Sequence, residues 1–293
     1  MKSITLIISM VLSINLIAQS NFKIRLLTPI SGHYKDLAKL NPKPLPDSTD
    51  RLQFPLEWLP TRHALKLKLS PKYLFLPPSA FEIPEFPANS SVQTKAEIAF
   101  LLKLQNTART PEKVKESLEF ANVYYNVFVT PFDTTYGKMQ QNLFHMGRQL
   151  AWFNPQKLPK TTAMMRRIWS DATYYFWALK FKYNRTRPYM LDNSIKNLDD
   201  TNFQAYPSGH ASASYVAAFI YQELLPEHKD LFIKNAYDMA FSREILGVHF
   251  PSDSEAGRIF ARQFVNELLK TKAFIQDLEE VKKEIESVKK NAR

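Results

Sequence analysis

The chain has 293 residues, is 45% hydrophobic and 13% aromatic, and carries a net charge of +11. That much apolar material builds a core and excludes a disordered chain, and the length suits one or two domains. Cysteine is absent, which excludes disulfides, a thiolate metal cluster and a lipoprotein anchor, while the positive balance favours anionic partners: phosphorylated small molecules, nucleic acid or a lipid surface.

At the start, Lys2 precedes an apolar run from Ile4 to Ile17, followed by the small residues Ala18 and Ser20. This predicts a secretory signal peptide over 1–20, cut after Ser20. An uncleaved membrane anchor is the competing reading, but the run is short for a spanning helix. Export without cysteine points to a bacterial periplasm or cell exterior. Residues 21–90 hold eleven of the nineteen prolines. Proline removes backbone donors and blocks helices, so an extended N-terminal arm is expected, with short strands at 21–27 and 63–69.

From Ser91 the pattern becomes helical. Helices are predicted over 92–108, 110–128, 136–153, 160–183, 208–225, 227–247 and 251–270, with a further helical tail. Thr110 and Pro111 supply an N-cap and a first helical position. The apolar stretch 211–225 carries Gln222 and Glu223 and is too short to cross a bilayer, so it reads as a buried helix and the mature chain has no transmembrane segment. In the tail, 278–293, Glu and Lys alternate at i,i+4 spacing, the signature of a solvated helix face. The expectation is an all-α fold: one helical-bundle domain over 91–293 behind a Pro-rich irregular arm.

Three stretches carry chemistry. In the first, Lys180, Lys182, Arg185 and Arg187 gather where a long helix ends before Pro188; cations at a helix C-terminus are also common on plain surfaces. In the second, Pro207, Ser208, Gly209 and His210 open a helix. Its unpaired N–H groups form an anion site, although a serine N-cap with an incidental histidine has the same appearance. In the third, Arg243 offers a five-donor fork suited to phosphate, and Asp253 lies four residues past His249, within reach of one ring nitrogen. A lone H-x-x-x-D pattern is weak by itself.

Together the three blocks fix eleven positions in order: Lys180, Arg187, Pro188, Pro207, Ser208, Gly209, His210, Ser242, Arg243, His249 and Asp253. In this the chain resembles the type 2 phosphatidic acid phosphatase superfamily, which includes the bacterial class A non-specific acid phosphatases and the vanadium haloperoxidases. The leader, the "YLFLPPSAF" segment, the short gaps between blocks and the charged tail resemble the class A enzymes most. The resemblance covers roughly 72–293 and is sharpest over 177–260. The absence of cysteine departs from members that carry a disulfide.

The resemblance implies an all-α fold of the acid phosphatase/vanadium haloperoxidase type. His249 corresponds to a nucleophile that becomes phosphohistidine, Asp253 to its orienter and His210 to the general acid. Lys180, Arg187, Ser208, Gly209 and Arg243 correspond to a phosphate cradle. The implied activity is exported, metal-independent hydrolysis of phosphate monoesters, inhibited by vanadate and needing no cofactor, in a homo-oligomer with no nucleic acid partner. His33, His63, His145 and His228 match nothing in the pattern and read as structural or surface residues. A peripheral lipid phosphatase or pyrophosphatase, a vanadate-dependent haloperoxidase and a basic binding protein are the competing functions.

Overall fold

The computed structural model describes residues 32–45 and 47–291. The expected signal peptide and the expected strand at 21–27 lie outside the described residues. No strand occurs among the described residues, and the architecture is all-α.

The arm begins with α1 (Tyr34–Leu37), continues through 3-10 turns, and contains α2 (Thr61–Ala64), which runs into a 3-10 turn at Leu65–Lys68. The strand expected at 63–69 is therefore wrong. A strand needs a ladder partner, and the described residues offer none. The arm is fastened to the helices instead. Asp171 accepts hydrogen bonds from the backbone N–H groups of Lys72, Tyr73 and Leu74 at 2.7, 2.8 and 3.0 Å. Phe81 packs edge-on against Tyr175 and Phe260.

The helices follow in order: α3 (Val92–Thr107), α4 (Pro111–Ala121), α5 (Tyr136–Leu143), α6 (Pro159–Tyr183), α7 (Pro188–Leu191), α8 (Gly209–Leu224), α9 (Lys229–Ile245), α10 (Pro251–Leu268) and α11 (Lys272–Asn291). Two of the predicted helices end early. α4 stops at Ala121 rather than 128, where the β-branched and aromatic run Val123–Val129 has weak helix propensity. α5 stops at Leu143 rather than 153 and gives way to a 3-10 turn at His145–Gly147. A Cβ on Gly147 would come within 2.5 Å of the Phe153 ring, so only glycine lets the chain fold back there.

α8 is apolar on nearly every side and buried along its length, so it forms the central rod of the bundle. α6, α9 and α10 pack around it. Gly257 of α10 permits the closest approach: an added Cβ would sit 2.8 Å from the Ser212 nitrogen and 3.0 Å from the Ser208 carbonyl oxygen. α11 buries Phe274, Leu278, Val281 and Ile285 at helical spacing and turns its Lys and Glu residues outward. This packing brings the C-terminal ends of α6 and α9 together with the N-terminal ends of α8 and α10.

Candidate active site

The last turn of α6 supplies Lys180, which is fully buried and donates to the Gln204 and Ala205 carbonyls at 2.8 and 3.2 Å. Asn184 then closes the helix in a left-handed conformation, φ +45°, which asparagine tolerates better than most residues. The chain leaves extended through Arg187, as expected before a proline. Arg187 is held by three contacts: Nε donates to the Phe203 carbonyl at 2.8 Å, and Nη1 donates to the Val248 carbonyl at 2.7 Å and lies 3.0 Å from His249 Nε2.

Ser208 caps α8, its Oγ accepting from the Ala211 N–H at 3.3 Å. The N–H groups of Gly209 and His210 fall in the first helical turn, where no intrahelical acceptor exists. A Cβ on Gly209 would make only ordinary contacts, 3.5 Å to Phe176 and 3.7 Å to Lys180 Cε. Space inside the protein therefore does not demand glycine here.

The last turn of α9 carries Arg243, and Gly247 follows the helix at φ +72°. Glycine is required at this turn on two counts: the left-handed backbone, and a Cβ that would meet the Arg109 guanidinium at 2.7 Å. The turn delivers His249 to the start of α10. Asp253, in the first turn of α10, accepts from His249 Nδ1 at 2.9 Å, from the Phe250 N–H at 2.9 Å and from Arg185 Nη1 at 2.7 Å. With Nδ1 donating to Asp253, the lone pair of His249 is on Nε2.

Lys180, Gly209, His210, Arg243 and His249 line a cavity of about 460 Å³. Arg187, Ser208 and Asp253 stand outside its lining, with Arg187 and Asp253 at the two nitrogens of His249. All eight residues singled out in the sequence thus converge on one place. Arg187 Nη2 and Arg243 Nε and Nη1 are buried without a hydrogen-bond partner. Such donors are rare and costly, which marks the cavity floor as a place for acceptor oxygens. His210 is half-buried, with Nε2 3.1 Å from the Ala121 carbonyl.

The electrostatics agree. Burial, followed by the fields of Arg187, Lys180 and Arg243, holds His249 well below the ordinary histidine range. Burial and then Arg243 do the same to His210. Lys180 is pushed well down by burial and by Arg187, and Arg187 is lowered to about 10 by burial. Crowded cations that resist their own charge are what an anion would relieve.

Four further residues contribute to the site. Arg185, Glu97 and Ser252 form a buried network behind Asp253. Arg185 stacks on Phe250 at 3.9 Å, Ser252 Oγ lies 2.7 Å from Arg185 Nη1, and Glu97 takes Ser252 N–H and Oγ–H at 3.0 and 2.8 Å. Burial raises Glu97 to about 7. Asp199, the fourth, pairs with Arg243 Nη2 on the cavity wall. Arg185 was visible in the basic cluster. Nothing in the sequence ties Glu97 to a position 155 residues away.

Residues 168–273, which span all three blocks, match the family model of the PAP2 superfamily. The chain is 30% identical to a non-specific acid phosphatase of Salmonella typhimurium over 46% of this chain and 56% of that protein. It is 34% identical to a non-specific acid phosphatase of Providencia stuartii over 38% of this chain and 47% of that protein. The chain thus spans about half the length of the curated relatives it matches. Among solved structures it is similar to a bacterial vanadium-dependent iodoperoxidase, at 18% identity and a TM-score of 0.43, over 70% of this chain and 53% of that one. Residues 168–273 are thus similar to the PAP2 superfamily, and the chain is similar to bacterial non-specific acid phosphatases.

Proposed function

We propose that the protein is an exported acid phosphatase that hydrolyses phosphate monoesters through a phosphohistidine, without a metal. One observation carries the reading: His249 is oriented through Nδ1 by Asp253, and its Nε2 lies 3.0 Å from the guanidinium of Arg187, whose Nη2 is buried without an acceptor. His249 Nε2 attacks phosphorus and the bond to the ester oxygen breaks. His210 delivers its proton to that oxygen. Water then attacks the phosphorus, the bond from phosphorus to His249 Nε2 breaks to release phosphate and the free imidazole, and His210 accepts the proton that water gives up. The transferring phosphoryl group spreads negative charge over its oxygens. Lys180, Arg187 and Arg243, with the Ser208 hydroxyl and the Gly209 N–H, supply the positive field that a metal provides in other phosphoryl-transfer sites. Vanadate, which takes five-coordinate geometry and bonds to a nitrogen, should inhibit far more strongly than sulfate.

The test uses an aryl phosphate with chelator present, followed by a radiolabelled pulse quenched in alkali, where phosphohistidine survives. Turnover should be unaffected by the chelator, and acid-labile label should appear on the wild type. His249→Ala should lose both turnover and label. Metal-restored activity, or label persisting in the variant, would overturn the reading.

A second reading, peripheral hydrolysis of lipid phosphates, is favoured by Tyr124 and Phe128, half-exposed aromatic residues on the cavity rim. Hydrolysis of phosphatidate in vesicles at a rate comparable to soluble esters would support it. No helix of the described residues is long and apolar enough to cross a membrane.

A further inference from the structure

The cavity has a second polar wall, built by the arm. Arg62, His63 and Lys66 line it. The helical turn through 61–68 sets His63 and Lys66 on one side, three residues apart. His63 is 6% exposed and stacks on Trp177, with ring centroids 4.5 Å apart. Lys66 Nζ lies 3.0 Å from His63 Nδ1 and 4.1 Å above the same Trp177 ring.

These contacts fix the tautomer of His63. A lysine ammonium only donates, so Nδ1 accepts and the proton of the neutral ring is on Nε2. Burial and the fields of Lys66, Arg62, Lys180 and Arg187 push this imidazole down to about 3, which keeps it neutral. Its Nε2–H is buried and meets no acceptor. A buried donor left in this state costs free energy that an acceptor would recover. No carboxylate pairs with Arg62 or Lys66 among the described residues. Burial, then Arg62, lowers Lys66 to about 8.

This wall adjoins the cradle. Phe203 touches His63 at 5.0 Å and Arg187 at 4.7 Å between centres, so a single ring separates the two groups of cations. Resting on the phosphatase reading above, we propose that Arg62, His63 and Lys66 form a second anion subsite. It selects phosphate monoesters whose leaving group carries a further anionic group, phosphate or carboxylate. The arm thereby determines substrate choice while the bundle performs the chemistry.

Binding tests this without turnover. Calorimetry would compare methylphosphonate with α,ω-bisphosphonates of increasing methylene length and with the matching phosphonocarboxylates. Wild type should bind the best-fitting dianionic probe about 10-fold or more tightly than methylphosphonate, the gain typical of a hydrogen bond to a charged group. The two probe series show whether phosphate or carboxylate is preferred. Lys66→Met keeps the stem on Trp177, and Arg62 is exposed, so Arg62→Gln leaves the fold untouched. The double variant should lose the advantage while its affinity for methylphosphonate changes less than about 2-fold, and Arg62→Gln alone should lose part of it. No advantage in wild type, or an advantage retained in the double variant, would overturn the subsite. The phosphatase reading fails by a separate readout, the absence of label on His249.

Discussion

The floor and the rim of the cavity are built in opposite ways. On the floor, Lys180, Arg187, Arg243 and His249 are buried at helix ends, and Asp253 behind them takes three donors at once. On the rim, His210 is half-buried and its ring has a single polar contact, to the Ala121 carbonyl at the end of α4, and the loop 122–128 and the arm complete the wall. The floor is over-determined, as a group that must attack phosphorus along one line requires. The rim is held by few contacts, so its residues can change with little cost to the fold. Mutations should therefore separate: floor changes should damage stability and chemistry together, and rim changes should alter chemistry alone.

The largest effect that distinguishes the two comes from the rim. His210→Ala should lower kcat/KM for alkyl phosphates by about 100- to 10,000-fold, the usual worth of general acid help. An aryl phosphate with a good leaving group should lose far less. The unfolding free energy should barely move, because one half-buried contact is lost. Equal losses on both esters would remove His210 as the acid, and a large loss of stability would break the comparison itself.

On the floor the ordering reverses. Arg185→Met removes one member of a network in which both side chains of the Arg185–Asp253 pair are fully buried. Breaking such a pair leaves a charge uncompensated and typically costs about 3–5 kcal/mol. Denaturant unfolding should register that loss, and kcat should fall with it, since Asp253 loses a donor that fixes its carboxylate beneath His249. Wild-type stability in this variant would mean that Asp253 is held adequately by His249 and the Phe250 N–H alone.

The same contrast explains what the sequence disclosed. Helices α6, α8, α9 and α10 were readable because their ends carry proline, glycine and serine at positions where backbone chemistry demands them. The site residues are tied to those same ends, so their spacing is preserved in the chain order. Glu97 was hidden for the opposite reason. It sits inside a buried helix face with Gln93 and Thr94, whereas hydropathy marks Ile98, Leu101 and Leu102, of which only Leu101 is buried. The arm was legible as proline-rich and irregular, but not as a cavity wall. Leu65, Leu67 and Leu69 alternate like a strand, and only tertiary packing turns the segment into a helical turn that presents His63 and Lys66 together. The early ends of α4 and α5 were missed because apolar periodicity continues through Val123–Val129 and Leu150–Phe153 after the backbone has turned.

The smallest expected effect is a displacement of pH limbs, and it probes floor and rim at once. Burial and the cations around them hold both histidines well below the ordinary range, which favours their neutral forms. Neutrality suits His249, which must offer a lone pair, but not His210, which must carry a proton to donate. A bound phosphate reverses the field: an anion stabilises the protonated form of a nearby base and so raises its pKa. The activity profile should be a bell on the acid side of neutrality. Its alkaline limb is the loss of the His210 proton. That limb reports the free enzyme in kcat/KM and the loaded enzyme in kcat. Because loading raises the His210 pKa, the alkaline limb of kcat should lie at higher pH than that of kcat/KM. In His210→Ala it should flatten for an aryl phosphate. Limbs that coincide would mean that the bound phosphate does not reach His210, and a limb that survives in His210→Ala would belong to another group.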